Sequence, residues 1–303
     1  MKNAPWLYLA PDAWPLAWTG AGPVDPETAA AATVALPPEA SRHAAGALRL
    51  RGGAAAVLFD GCGRKARVRL VYADPRRVVC APVALGRASR PRPRLAVAVA
   101  PPKGRRAAWL VEKCVETGAD LFLPLLCARG AEGARAAAGA AEARRLAERW
   151  GAWAVSAAKQ CRRAWLPRVE RPRALSEWLA GRRAPHGGGG SGADGHDPDG
   201  HDVHDGHGNH RSRSDSGDLL LVGAPRGLPF PAWRRRVRAA RTATAVIGPE
   251  GGLTAEEEEA LTAAGGLAVC WGPHVLRVET AAVAACVAIR LAAAREEAIA
   301  SAR

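Results

Sequence analysis

Three short stretches of the 303-residue chain combine bare backbone with isolated polar side chains, a combination suited to holding a small molecule. The run Gly248, Pro249, Glu250, Gly251, Gly252, Leu253 joins an apolar segment to a very acidic one. Its glycines permit positive φ and close backbone approach, Pro249 stiffens the turn, and Glu250 sets a carboxylate at the rim. A second run, Trp271, Gly272, Pro273, leads into His274, Val275, Leu276, Arg277 and Glu279. A third, Leu221, Val222, Gly223, closes another apolar segment. Three strands feeding three such loops at one sheet edge form a crevice in which free N–H and C=O groups meet a ligand. Neither a G-x-G-x-x-G fingerprint nor a G-x-x-x-x-G-K-[ST] loop occurs at these strand ends, so a ligand that is not held by its phosphates fits better.

The elements that must position these loops are visible as changes of period. "LAVAVAPP" has the continuous apolar form of a strand buried on both faces. "RRAAWLVEKCVETG" has helical spacing of Trp109, Val111, Cys114 and Val115, with Gly118 as the C-cap. "ADLFLPLL" predicts the next strand and "EARRLAERWGAWAVSAAKQC" a further helix. Residues 219–222 predict a strand followed by a Gly/Pro loop, and "TATAVIG" and "GLAVCWG" two more. This order predicts an α/β domain with a largely parallel sheet over residues 95–303. Thr254 with Glu257 three residues later predicts a capping box, and Glu256 to Glu259 complement the helix dipole. From Thr280 an alanine-rich run with Val283, Val287 and Leu291 at helical spacing predicts a packed helix, apolar on more than one face, part of which forms a subunit interface.

Residues 1–85 read differently. "AAAVLFDG", "KARVRLVYA" and "RVVCAPVAL" are short β-type runs broken by Gly and Pro, which predicts a small barrel or sandwich. Up to Arg94 there are 14 basic and six acidic residues, which marks this part as the candidate RNA-gripping module. "GRASRPRPR", 86–94, predicts a linker. Over the whole chain the formal charge is +14, and arginine forks match phosphate oxygens. The seven cysteines are widely spaced without a C-x-x-C pair, arguing against a disulfide framework or zinc ribbon and for a reducing compartment. With no secretory signal and no apolar stretch of 18 residues, the expected location is cytoplasmic, without a membrane partner. Residues 185–217 hold six of the eight histidines and little to bury; they predict a disordered insertion rather than a metal site, and no metal is expected.

"VIGPEGGLTAEE" together with "WGPHVLRVETAA" resembles the paired signature of the SPOUT-class RsmE family, which methylates N3 of a uridine in small-subunit (16S) ribosomal RNA. "RHAAGALRLRGGAAAVLFDG" is similar to that family's N-terminal PUA-like barrel, and "KGRRAAWLVEKCVETGADLFLPLLCAR" and "SAAKQCRRAWLPRV" follow its middle segments in order. The chain departs from the family's pattern at Lys159, at Glu116 to Gly118 and at Ala128. The resemblance implies a trefoil knot in the C-terminal domain, S-adenosylmethionine as cofactor, a homodimer, and ribosomal RNA or the assembling small subunit as partner. The cofactor residues it implies are Leu221, Val222 and Gly223, then Gly248 through Leu253, then Trp271, Gly272, Val275 and Leu276. Arg277 and Glu279 are the implied catalytic pair, and Arg42, His43, Arg49, Arg129, Arg162 and Arg163 the implied RNA contacts.

A uridine N3 is mostly protonated at neutral pH, so its methylation requires help with proton loss or with the anion, and in-line aim at the methyl donor. Arg277 is expected to stabilise charge or position a phosphate, with Glu279 orienting it or acting on the proton. Two other readings stay open on the residues alone: a knotted methyltransferase acting on transfer RNA or large-subunit RNA, and a catalytically silent RNA-binding protein.

Overall fold

The computed structural model describes residues 4–130, 139–183 and 217–294, so the His/Asp/Gly-rich run expected to be disordered lies outside the described residues apart from Gly217. The N-terminal part builds a six-stranded sheet from β1 (Trp6–Tyr8), β2 (Gly22–Pro23), β3 (Val34–Ala35), β4 (Ala55–Phe59), β5 (Arg64–Asp74) and β6 (Arg77–Arg87). The order is β1-β4-β5-β6-β2, with β3 also on β6. Only β1 runs parallel to its neighbour; the other pairings are antiparallel. Strict alternation in β5 turns Ala66, Val68 and Leu70 inward and Lys65, Arg67 and Arg69 outward. The inward set packs with Leu7, Leu9, Trp14, Trp18, Leu58 and Val78 in one core. Two short helices, α1 (Pro26–Ala31) and α2 (Pro38–Ser41), and a π-helical turn over Arg42–Ala47 cover one end.

The second sheet is wholly parallel. Its strands are β7 (Arg94–Val99), β8 (Leu121–Leu126), β9 (Arg168–Val169), β10 (Arg173–Ala174), β11 (Asp218–Leu228), β12 (Thr242–Ile247) and β13 (Leu267–Val269). The order is β10-β8-β7-β12-β11-β13, with β9 on β8. Because β7 and β12 are central, their residues are buried on both faces, as their unbroken apolar runs require. One face carries α3 (Arg105–Glu116), α4 (Ala140–Cys161), α6 (Phe230–Ala239) and α8 (Val278–Ala293), which share a core with Leu95, Val97 and Ile247. The other carries α5 (Leu175–Arg183) and α7 (Ala255–Ala263), which share a core with Ala96, Ala98 and Val246.

Two expectations need correction. Residues 224–228 do not leave the sheet as a loop: β11 continues to Leu228, and Gly223 and Leu228 both face Val269 across a register shift. Gly227 allows this, since a Cβ there would lie 2.5 Å from backbone atoms of Val269. The last helix starts at Val278, and its packed face is the small one, Ala281, Ala282, Ala285, Cys286, Ile289 and Ala292. Val287 and Leu291, expected in the packed stripe, are exposed.

Asp120, 3% exposed, ties the sheet together at the ends of the strands opposite the glycine loops. Its Oδ1 accepts from Arg163 at 2.5 Å, and its Oδ2 accepts from Arg290 at 2.7 Å and from the Leu95 N–H at 2.8 Å. Arg163 also donates to the Val115 and Ala119 carbonyls, and Arg290 to those of Pro93 and Gly118. One carboxylate thus joins the entry to β7, the α3–β8 turn, the end of α4 and the last helix. Two guanidiniums thus share one buried carboxylate, each with further carbonyl partners.

Candidate active site

Gly223 to Pro225 of β11, the loop after β12 and the loop after β13 enclose a cavity of about 530 Å³ at one edge of the parallel sheet. Its floor is Ile247, Leu253, Leu276, Val278 and Ala281; its walls are the glycine-rich backbone of residues 248–252, together with Trp271 and Gly272. Each loop is fixed by a distinct device. The loop after β12 closes with the Gly252 N–H on the Pro249 carbonyl at 2.8 Å, and Gly252 has φ +74°. The capping box follows as expected, with Thr254 Oγ1 accepting from the Glu257 N–H and Glu257 Oε2 accepting from the Thr254 N–H at 2.9 Å. Glu257 does more than complement the dipole: its Oε1 accepts from the Ala128 N–H at 2.8 Å and so pins the loop after β8 beside the glycines.

The loop after β13 is held by aromatic packing. Trp271 meets Trp233 edge-on at 5.6 Å, and Trp233 meets Phe230 likewise at 5.0 Å. The Trp271 indole lies against the bare backbone of Gly223, where a Cβ would be 2.6 Å from Nε1. That Nε1 is buried and has no hydrogen-bond partner among the described residues. At the outer rim Glu250 pairs with Arg106 at the start of α3 at 3.1 Å, both about half exposed.

The expected cofactor residues divide in two. Gly223, Gly248, Pro249, Glu250, Gly251, Gly252, Leu253, Trp271, Gly272, Val275 and Leu276 line this cavity. Leu221 and Val222 do not; they are strand residues packed into the two cores on either side of the sheet. Ala224, Pro225, His274 and Glu258 also line it, beyond the expected set. Gly251 is not the residue with positive φ: that is Gly252, while a Cβ on Gly251 would meet the Arg129 Cβ at 3.2 Å.

Arg277 lines the cavity and is exposed at the cap position of α8. Glu279 is 7% exposed, and its Oε2 has no hydrogen-bond partner among the described residues. No ion pair joins the two there, so Glu279 does not orient Arg277 within one chain as expected.

The expected RNA contacts separate further. Arg42 and Arg49 are exposed. His43 is half-buried, and burial, with Lys159 nearby, pushes its pKa below the usual histidine value. Arg162 is exposed at the left-handed end of α4. Arg163 is a structural cation on Asp120 and is not offered to a ligand. Arg129 spends its guanidinium on the carbonyls of Gly251 and Leu253, at 3.3 and 3.2 Å, so it braces the glycine loop. A bracing role could have been suspected from its place at a neighbouring strand end, though charge alone did not reveal it.

Residues 89–186 and 213–290 match the family model described as an RNA methyltransferase domain. Over 268 residues the chain is 35% identical to ribosomal RNA small subunit methyltransferase E of Mycobacterium bovis, covering 86% of each. The chain belongs to this family of RNA methyltransferases. The Bacillus subtilis member is 26% identical over 260 residues, covering 86% of this chain and 90% of its own. Among solved structures, the Neisseria gonorrhoeae member bound to S-adenosyl methionine superposes with a TM-score of 0.70 at 23% identity, covering 95% of this chain and 98% of its own. A Legionella pneumophila methyltransferase with the same bound cofactor gives 0.69 at 21% identity, over 96% and 98%. Both likenesses extend over both sheets, so the pairing of an N-terminal sheet with a parallel methyltransferase sheet is common to them. Among the described residues no helix is long and apolar enough to cross a membrane.

Proposed function

We propose that this chain transfers the methyl group of S-adenosylmethionine to N3 of a uridine in small-subunit (16S) ribosomal RNA. The observation that carries this reading is the three-loop cavity itself, walled by backbone and apolar side chains that can face an adenosyl group without a phosphate. Bare backbone at Gly248, Gly251 and Gly252 lets main-chain N–H and C=O groups approach such a group closely. When bound, the cofactor supplies an electrophilic methyl group on a sulfonium. The residues of the chain have to aim the base and let its proton go: the N3–CH₃ bond would form as the sulfonium S–CH₃ bond breaks with its electron pair left on sulfur, and the N3 proton would pass to solvent. Arg277, at the rim of the cavity, offers its guanidinium to the charge that develops on the uracil ring.

The same reading includes a PUA-like RNA-binding barrel over residues 1–85, a linker over 86–94, a knotted SPOUT domain over 95–303, a cytoplasmic location and a homodimer. The dimer is supported by one stripe of α8. Glu279, Val283, Val287 and Leu291 recur every fourth residue and so share a face. Val287 and Leu291 are 40% and 60% exposed, and Val275 nearby in the chain is 83% exposed. The exposed end of this stripe is an apolar face that a second copy can cover.

Calorimetry with S-adenosylmethionine and mapping of the methylated nucleoside in RNA from a deletion strain test the proposal together. Binding of the cofactor with loss of N3-methyluridine from 16S RNA is the expected result. Absence of cofactor binding would leave a silent RNA-binding protein, and a lesion in transfer or large-subunit RNA would move the substrate.

A further inference from the structure

The outer face of the β5–β6 ribbon has a feature the three-loop cavity does not use. Along β5, even-numbered residues point inward as far as Leu70, and Tyr72 would follow them into the core. A register shift intervenes: Leu70 pairs with Cys80 and Tyr72 with Val79, so Val71 is an extra residue on β5. This β-bulge turns Tyr72 out, and both Val71 and Tyr72 are more than half exposed. Tyr72 then lies on the same face as Asp74, Arg77 and Val79, and these with Val71 and Arg76 line a concavity of about 710 Å³. Val71 and Tyr72 thus stand in the open directly beside the arginines of this concavity.

The surroundings are strongly cationic. Lys65, Arg67 and Arg69 stand on the outer face of β5 at every second position, and all three are exposed. Arg76 and Arg77 flank Tyr72 at the hairpin, where Asp74 is the sole carboxylate of the concavity. Like charges in a row on one strand repel, and no acidic side chain on β4 or β6 offsets them. Such a row is relieved by a polyanion lying along the strand. Gly53 packs its backbone on this edge, donating to the Leu70 carbonyl at 2.7 Å and accepting from Arg69 at 3.1 Å, which holds Arg69 and leaves Lys65 and Arg67 as the outward cations of the row.

We propose that this face is a single-strand RNA platform, on which Lys65 and Arg67 track the phosphates and Tyr72 stacks one base. The proposal rests on the RNA methyltransferase reading and deepens it by naming a grip site separate from Arg42 and Arg49. A flat aromatic ring beside cations suits single-stranded RNA, whose bases are free to stack; a duplex would present only its backbone.

The full-length chain is titrated with a fluorescein-labelled 12-nucleotide oligouridylate by anisotropy over a range of salt concentrations. Tyr72→Ala should weaken binding about tenfold or more, the scale of one base–aromatic stack, with an unchanged salt slope. Tyr72→Phe should bind within twofold of the parent. The double variant Lys65→Gln, Arg67→Gln should lower the log–log salt slope by about 1.4, roughly 0.7 for each single-strand phosphate lost. Affinity for S-adenosylmethionine should not change in any of them. If Tyr72→Ala binds like the parent, or Tyr72→Phe loses as much as Tyr72→Ala, the stacking platform is overturned and the enzymatic reading stands. A parent chain that binds the cofactor but not the oligouridylate also overturns the platform, while loss of cofactor binding as well would overturn the enzymatic reading on which it rests.

Discussion

Gly223→Ala isolates the role of bare backbone in the cavity better than any loop glycine. Gly223 does not have positive φ, so alanine is conformationally acceptable there, and the effect must come from space. The added Cβ would lie 2.6 Å from Trp271 Nε1, 3.1 Å from its Cδ1 and 3.3 Å from the Val246 carbonyl oxygen. Ordinary carbon contact begins near 3.5 Å, so the indole must retreat by close to 1 Å. It cannot do so freely, because Trp233 is wholly buried and packs edge-on against it. Overpacking of this kind costs about 1–3 kcal/mol. The cost has two places to appear. If the ring holds its position under strain, stability falls by that amount; if it swings into the cavity, stability is spared and cofactor affinity falls roughly 5- to 150-fold. Thermal melting and calorimetry with S-adenosylmethionine, run on the same preparation, divide the total between them. Gly151→Ala serves as control: it is inside α4 with nothing within 4 Å, and should stabilise by roughly 0.5–1 kcal/mol. A Gly223→Ala protein with parental melting and parental affinity would show that Trp271 is not fixed by Gly223 as described.

Asp120→Asn keeps the shape of the hub but leaves Arg163 and Arg290 without their shared anion, so a loss of about 3–5 kcal/mol in chemical denaturation is expected, with cofactor affinity retained in the folded fraction. A loss under 1 kcal/mol would mean that the carbonyl partners of the two guanidiniums suffice. Burial pushes the Cys80 thiol up to about 12, and burial with the Glu257 charge does the same for Cys127. The folded state therefore favours the protonated thiols, and their contribution is intact below the usual thiol pKa near 8.5. It is lost as pH rises toward 12, by about 1.4 kcal/mol per thiol for each pH unit. Denaturation midpoints measured at pH 8, 9 and 10 should fall accordingly. Thiol labelling at pH 8 should reach exposed Cys62 long before Cys80, Cys114, Cys127 or Cys286. Rapid labelling of the buried four in the native protein would contradict the packing.

Features that depend on backbone chemistry were legible before any coordinates. The buried parallel strands show as unbroken apolar runs, the capping box shows as Thr254 and Glu257, and the cavity shows as glycine at strand ends. Features that depend on a distant partner were not. The continuation of β11 through residues 224–228 requires Gly227 to lie on Val269, 42 positions away in the chain, and nothing local announces it. The bulge at Val71 is equally silent, since Val71 and Tyr72 both read as ordinary strand residues. The stripe of α8 misled for the converse reason: Val287 and Leu291 have helical spacing with Val283, yet the face set against the sheet is that of Ala281, Ala282, Ala285 and Ile289, one step round the helix.

Arginine shows most clearly where residue type stops being informative. The family resemblance implies Arg163 and Arg129 as RNA contacts alongside Arg42 and Arg49, and residue type does not distinguish the four. The first two are committed to acceptors inside the fold, Asp120 in one case and the carbonyls of Gly251 and Leu253 in the other. The others stand exposed on a π-helical turn and the segment after it. What separates them is the supply of unpaired acceptors nearby. A chain turning at the end of a strand exposes carbonyls that need donors, and a guanidinium with five N–H groups is the side chain best able to satisfy several at once. Arg129 follows β8 and Arg163 follows the last turn of α4, both places where carbonyls accumulate. Arg42 and Arg49 make no side-chain hydrogen bond or ion pair among the described residues, and their charge faces outward, where a polyanion can meet it.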